Sequence, residues 1–433
     1  MKKIFTLLSL TFYLNINSQI ITTVAGNGGC CNPMDGGPAT ASTLYSPNAV
    51  AIDASGNLFI AEANSIRKVT ASTGIITTVA GAGMGGYSGD GGQATAANVQ
   101  AEAGVALDAA GNIFIFDWSN KVLRKVTAST SIITTICGGG TNFMSNGIPA
   151  TSAQLVNPAA ITLDATGNIF ICDGNRARKI NTSGIITTLA GTYNNNGYAG
   201  DGGPATAALL YDPAGIAVDA AGNVYISDSQ NERIRKINTQ GIINTIVGNG
   251  NYGYSANGSL AINSPLTGTS GITIDGAGNL FIACGKYVVR MVNTAGIIST
   301  VAGDTIYGYT GDGGPATAAE LEEPVGLTVA ANNLYIVDYQ SGTVRVVTNV
   351  AQAGIPAFNT QNSIIKIYPN PANNKIIIDE TNVVEVKFFD VLGNEITTTK
   401  QNQIDVSNLP NGVYFIQVQT STGISTQKIM VQH

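Results

Sequence analysis

Ile20-Ile21-Thr22-Thr23-Val24-Ala25-Gly26 returns unchanged at 75–81 and, with small edits, at 132, 185, 242 and 297. The terminal glycines of the six copies, Gly26, Gly81, Gly138, Gly191, Gly248 and Gly303, stand 55, 57, 53, 57 and 55 residues apart. A steady period of this length marks a repeat architecture, in which each unit buries its apolar surface by stacking on its neighbours. The fourth copy shows the plan. Gly215–Asp219, Val224–Asp228, Arg233–Ile237 and Ile242–Val247 are short runs rich in Ile, Val and Tyr, bounded by Gly, Asn and Asp. Runs of that length and composition predict strands joined by tight turns rather than helices.

Four antiparallel strands repeated six times predict an all-β, six-bladed β-propeller over 19–348. The repeats begin with a fourth strand, Ile20–Gly26, and end with a third, Thr343–Val347. The N-terminal strand is therefore expected to close the last blade.

Composition agrees with this and excludes several function classes. Charged residues make up 11% of the 433 residues, with 52 glycines, which suits turns and short strands rather than solvated helices. The net charge of -6 and the lack of a basic cluster argue against nucleic-acid binding. Lys2 and Lys3, the apolar run from Ile4 to Leu14 and the small Ser18 predict a signal peptide over 1–18, too short in its apolar part to span a bilayer. No transmembrane segment is expected in the mature chain. The five cysteines are odd in number and lack metal-type spacing. Cys137 and Cys172 read as small buried hydrophobes, and vicinal Cys30-Cys31 as a pair confined to one loop.

The text Gly-Ile-Ala-Val-Asp-Ala-Ala-Gly-Asn-Val-Tyr-Ile-Ser-Asp at 215–228, followed by Arg-Ile-Arg-Lys-Ile at 233–237, resembles an NHL-repeat propeller. Equivalent Asp-x-x-Gly-Asn turns begin at Asp53, Asp108, Asp164, Asp219 and Asp275, and the sixth copy departs with Ala330 and a shorter turn before Asn333. A turn shared by five blades reads as structural, with its Gly and Asn supplying positive φ.

Functional variation is expected on the opposite face, where connections of roughly twenty residues run between blades. The one at 198–210, with related text at 87–99 and 309–321, carries a Pro-Ala-Thr-Ala-Ala type of segment that predicts a short helix, with Leu209 or Leu321 beneath it. Asp35, Asp90, Asp201 and Asp312 before it are expected to cap that helix or hold a cation, although one carboxylate per loop is few for calcium. Where single blades break the common text, candidate ligand-binding residues stand out: Asp117 and Trp118, Arg176, Lys286 and Tyr287, and Asp338 and Tyr339. With loop tyrosines Tyr87, Tyr198, Tyr254 and Tyr309 they make a candidate surface for a protein or glycan. The sole histidine, His433, excludes histidine-based triads and histidine-ligated zinc within the propeller. No catalytic residue, metal ligand or cofactor is assigned. A calcium-dependent hydrolase or lactonase site in the channel, as in the gluconolactonase-like propellers, is the alternative.

Beyond an apolar-poor linker at 349–363, residues 364–433 alternate as short strands and predict a small β-sandwich. Tyr368-Pro369-Asn370-Pro371, the Asp390-Val-Leu-Gly393 turn, Leu409-Pro410-Asn-Gly412-Val-Tyr414 and the terminal Lys428-Ile-Met-Val resemble the type A sorting domain of type IX secretion in Bacteroidota. The resemblance implies passage through the periplasm, an outer-membrane translocon as partner, and a surface-anchored or released product cut within the linker.

Overall fold

A computed structural model describes residues 19–29, 33–101, 104–143, 146–350, 366–379, 383–389, 395–420 and 423–433. The signal segment, Cys30 and Cys31, most of the linker, and Asp390 and Gly393 lie outside the described residues. Two compact units divide the chain, Met1–Gly354 and Ile355–His433.

The first unit holds six sheets, each with four consecutive antiparallel strands. In the fourth these are Pro213–Val218, Val224–Asp228, Arg233–Ile237 and Ile243–Val247. The sixth sheet is completed from the N-terminus: Ile21–Ala25 pairs with Thr343–Val347, with Ile21 opposite Val347. Ile21 is fully buried among Val347, Leu334 and residues of the fifth blade. The predicted ring closure is thus built from both ends of the repeats.

Core residues lie between blades. Ala61 and Phe59 of the first blade pack with Ile113 and Ile115 of the second, and the same pairing recurs around the ring. The long connections contribute to these interfaces. Each runs along the outer strand of the next blade, as when Gly37–Pro38 pairs with Ile75–Ile76, and then makes a single 3₁₀ turn. The first alanine of that turn, such as Ala94, Ala205 or Ala316, is buried between blades, as are Leu210 and Leu321. The residue beneath the turn is therefore Leu210 rather than the expected Leu209, which is only half-buried.

The Asp-x-x-Gly-Asn turns are structural, though not wholly as expected. Gly56, Gly111, Gly167, Gly222 and Gly278 take positive φ, whereas the asparagines that follow do not. Asn57 is held by its side chain, donating to Asp53 at 2.8 Å and accepting from Ala71 N at 2.9 Å. In the sixth blade a two-residue turn replaces the motif, with Ala331 and Asn332 both left-handed between the paired Ala330 and Asn333.

The second unit is a sandwich of a three-stranded and a four-stranded sheet. Ile376, Ile378 and Ile404 from one pack on Val386, Phe388, Ile416 and Ile429 from the other. Five predicted strands are present, and Lys366–Tyr368 and Gln403–Asp405 are added.

Candidate functional site

The innermost strands of the six blades surround an axial channel of about 410 Å³. Gly215, Gly271 and Gly326 hold equivalent positions there, and a Cβ on any of them would overlap a backbone carbonyl of the next blade. Glycine is what lets neighbouring inner strands approach, sealed by Gly271 N donating to Val325 O at 2.9 Å. The lining is consequently backbone and aliphatic groups, with Asn48, Ser270 and, on one side, Trp118. No carboxylate lines it, and no group of three or more His, Cys, Asp or Glu among the described residues is arranged to hold a metal.

Around the channel, every blade buries an arginine at the same place on its third strand, Arg67, Arg124, Arg178, Arg235, Arg290 and Arg345, and blade 3 buries Arg176 on that strand as well. Asp35, Asp90, Asp201 and Asp312 pair with the arginine of their own blade at 2.8, 2.6, 2.7 and 2.6 Å. This overturns both expectations for those aspartates: the 3₁₀ turns carry no side-chain cap, and the carboxylates are engaged by guanidinium. Each also ties the loop to the outer strand, as Asp90 accepts from Thr135 N at 2.9 Å. Burial opposes ionisation of Asp90, but hydrogen bonds from Thr135 and Arg124 and the Arg124 charge outweigh it and lower its pKa.

A second acid sits where the second strand ends. Asp117, Asp228 and Asp338 are fully buried, and each accepts from the backbone that enters the innermost strand: Gln100 N at 3.1 Å, Tyr211 N at 2.7 Å and Glu323 N at 2.6 Å. Burial pushes all three pKa values up, against those hydrogen bonds and the nearby arginines. Asp117 and Asp338 therefore hold the loop framework and present no atom to solvent. Arg176 is similar. It is buried, paired with Asp173 at 2.8 Å, donates to Phe143 O, and lies 5.3 Å from the Tyr193 ring centroid.

The four loop tyrosines are placed by the same network, one to a blade. Tyr87, Tyr198, Tyr254 and Tyr309 lie over Arg124, Arg235, Arg290 and Arg345 of four different blades, 4.4–5.2 Å from ring centroid to guanidinium. Their hydroxyls meet Thr135, Thr245, Thr300 and Thr23 of the outer strands. They cover the arginines at the periphery.

What remains near the axis is a smaller group. Trp118 is 43% exposed at the channel mouth, held through its backbone, which donates to Gln100 O and accepts from Lys121 N. Tyr339 follows Asp338 as Trp118 follows Asp117 and is half-buried. Across the ring, Tyr287 and Tyr307 meet edge to face at 5.3 Å in a cleft of about 560 Å³ between the fifth and sixth blades. Glu322, Glu323 and Gln340 line it too, and Ser270 and Val325 line both cleft and channel, so the two spaces are adjacent. Among the described residues no ion pair engages Glu322 or Glu323. The charge is felt locally: Glu322 raises the pKa of the exposed Tyr307, and burial, then Asp338, raise that of Glu322. Lys286 is exposed beside Tyr287, both with positive φ.

The teneurin NHL domain model matches residues 1–86, 137–198 and 194–258, and the secretion system C-terminal sorting domain model matches 366–432. The propeller is of the NHL type and the tail is a secretion sorting domain. Human teneurin-1 is 26% identical over 387 residues, 78% of this chain, and mouse teneurin-4 is 24% identical over 449 residues, 93% of it. The chain spans only 13% and 15% of the length of those two proteins. Among solved structures, a Bacteroides thetaiotaomicron protein of unknown function aligns with TM-score 0.57 at 17% identity, and an auxiliary nutrient binding protein of Bacteroides ovatus with 0.56 at 14%. Each alignment covers 76% of both chains, and at those identities it shows the fold alone.

In the sorting domain the motif residues join the two sheets. Asn370 Oδ1 accepts from Met430 N and Tyr414 donates its hydroxyl to Pro410 O, both at 2.8 Å. Leu409 packs on the core, Gly412 opens the strand that runs to Thr420, and Lys428 pairs with Phe415. Pro369 and Pro371 flank Asn370, while Tyr368 is exposed. The domain implies delivery by type IX secretion machinery to the cell surface or the medium. No helix among the described residues is long and apolar enough to cross a membrane.

The NHL propeller's Tyr211, Tyr307, Glu322 and Glu323 were not singled out by the sequence. Tyr211 and Glu322 stand directly after Leu210 and Leu321, where the other blades carry Tyr45, Gln100, Val156 and Thr267. Comparing that one position across the repeats would have found Tyr211 and Glu322, though not Tyr307 or Glu323.

Proposed function

We propose that this protein is an exported, non-catalytic binding scaffold whose channel mouth, on the long-loop face of the propeller, recognises a protein or glycan. The observation that carries this is Trp118 at the mouth, facing across the axis a cleft lined by Tyr287, Tyr307, Glu322 and Glu323. Aromatic rings beside carboxylates that carry no ion pair, in a concave site, suit recognition through shape and hydrogen bonds. The channel beneath offers no general acid, base or metal ligand set, which weighs against the lactonase reading. Residues 1–18 act as the signal peptide, residues 364–433 address the type IX translocon, and the segment between propeller and tail is the site of processing.

The test is an array of glycans and peptides probed with the secreted chain and with Trp118→Ala/Tyr307→Ala. Capture by the parent and loss in the variant support the reading; equal capture by both, or none by the parent, count against it. Deleting 364–433 checks the address separately. Periplasmic retention is expected, and normal surface display would refute the sorting role.

A further inference from the structure

In blades 2, 4, 5 and 6 a loop tyrosine lies over the buried arginine, and at that place the blade 1 sequence departs. Three residues before Asp90, Asn146, Asp201, Asn257 and Asp312 the sequence has an aromatic residue, Tyr87, Phe143, Tyr198, Tyr254 or Tyr309; before Asp35 it has Asn32. Blade 1 carries a cleft of about 700 Å³ beside Arg67. That volume falls within the ~300–1,000 Å³ typical of small-molecule sites.

The floor of the cleft is a built polar network. Arg67, 2% exposed, donates to Glu62 at 3.1 Å and to Asp35 at 2.8 Å. Buried Glu62 also accepts from the Ser65 hydroxyl at 2.7 Å and from Tyr45 N at 2.9 Å. Arg67 Nε has no hydrogen-bond partner. At the rim, Tyr45 is 63% exposed, the Asp35 side chain is 53% exposed, and the Asn64 amide lines the opening. Two carboxylates against one guanidinium leave the cleft net acidic, which disfavours an anion. Both carboxylates are already paired with Arg67, which removes the main attraction for a free cation. Fixed donors and acceptors beside an open aromatic ring match a neutral polyhydroxyl group.

We propose that the blade 1 cleft is a binding site for neutral saccharides, separate from the channel mouth. Tyr45 provides the stacking platform, Asp35 and Asn64 bond sugar hydroxyls, and Arg67 and Glu62 hold Asp35 and Tyr45 in place.

Titration calorimetry of the full chain with neutral tetrasaccharides of glucose, xylose, mannose and galactose, and with tetragalacturonate, tests this. At least one neutral sugar binds and the polyanion does not. Tyr45→Ala weakens binding about tenfold or more with an unchanged melting curve, because its side chain is exposed, and Asn64→Ala, at a half-buried residue, weakens binding by less. The proposal is overturned if no neutral tetrasaccharide binds at millimolar concentration or if Tyr45→Ala binds like the parent. Loss on Trp118→Ala with Tyr45→Ala unaffected also overturns it, and would assign the sugar to the channel mouth.

Discussion

Blade 4 buries Arg235 between two carboxylates, Asp201 at 2.7 Å and Asp228 at 3.3 Å. Blade 5 buries Arg290 at the same place with neither, since Asn257 replaces the loop aspartate and Cys284 the strand-end aspartate. Arg290 donates instead to Ser255 O at 3.0 Å and lies 4.4 Å from the Tyr254 ring centroid. Burial lowers its pKa, and burial pushes that of Cys284 up to about 12. The loop is nonetheless tied down, because Asn257 still accepts from Thr300 N at 2.8 Å. The comparison separates two jobs. Loop attachment needs only an acceptor, amide or carboxylate, as Asn146 of blade 3 also shows by accepting from Thr188 N at 2.8 Å; the buried strand-end acid, where present, takes its counter-charge from the guanidinium. Blade 5, without such an acid, forms one wall of the open cleft.

The largest effect should come from the element common to both blades' stability, ring closure. Deleting 20–26 removes the outer strand of the last blade and the buried Ile21. A calorimetric melt should then lose its single cooperative transition, whereas a parent-like melt would mean the blades stand independently.

Next comes the direct contrast. Arg235→Met should cost about 3–5 kcal/mol at neutral pH, because it strands buried Asp228 with no counter-charge. Arg290→Met should cost about 1 kcal/mol or less, since it orphans only the Ser255 carbonyl. Denaturant midpoints measure both, and equal losses would break the comparison.

The smallest effect is in the pH dependence. Asp90, Asp201 and Asp312 have folded pKa values below 3.8, so their stabilisation is present above 3.8 and is lost as pH falls through those lowered values. Asp117, Asp228 and Asp338 have raised values, so their ionisation opposes folding and protonation relieves it as pH drops toward 3.8. The propeller's stability should hold or rise slightly from neutral pH toward 3.8 and fall below it. A steady decline from neutrality would show that the strand-end acids are not strained by burial.

Strands, blade number and closure were legible because each depends on residues close in sequence and repeated at a fixed interval. The tail was legible from four short motifs in order. The role of Asp90 was not, because its partner Arg124 lies 34 residues away and the pairing exists only once the loop folds back on its own blade. The same holds for the tyrosines: an exposed ring in a variable loop looks like a ligand platform until the guanidinium beneath it is seen. Gly271 hid its purpose as well, since the carbonyl it accommodates belongs to the next blade. Sequence departures singled out Asp117 and Trp118 together, yet the first is buried and the second exposed.

Those two neighbours give the most direct test. Asp117 is wholly buried, bonded to Gln100 N and Asn120, whereas Trp118 is open at the channel mouth. Thermal midpoint and array binding should be measured together for Asp117→Ala and Trp118→Ala. The account predicts a lowered midpoint for the first and an unchanged midpoint with lost binding for the second. An unaffected midpoint in Asp117→Ala, or full binding by Trp118→Ala, would contradict it.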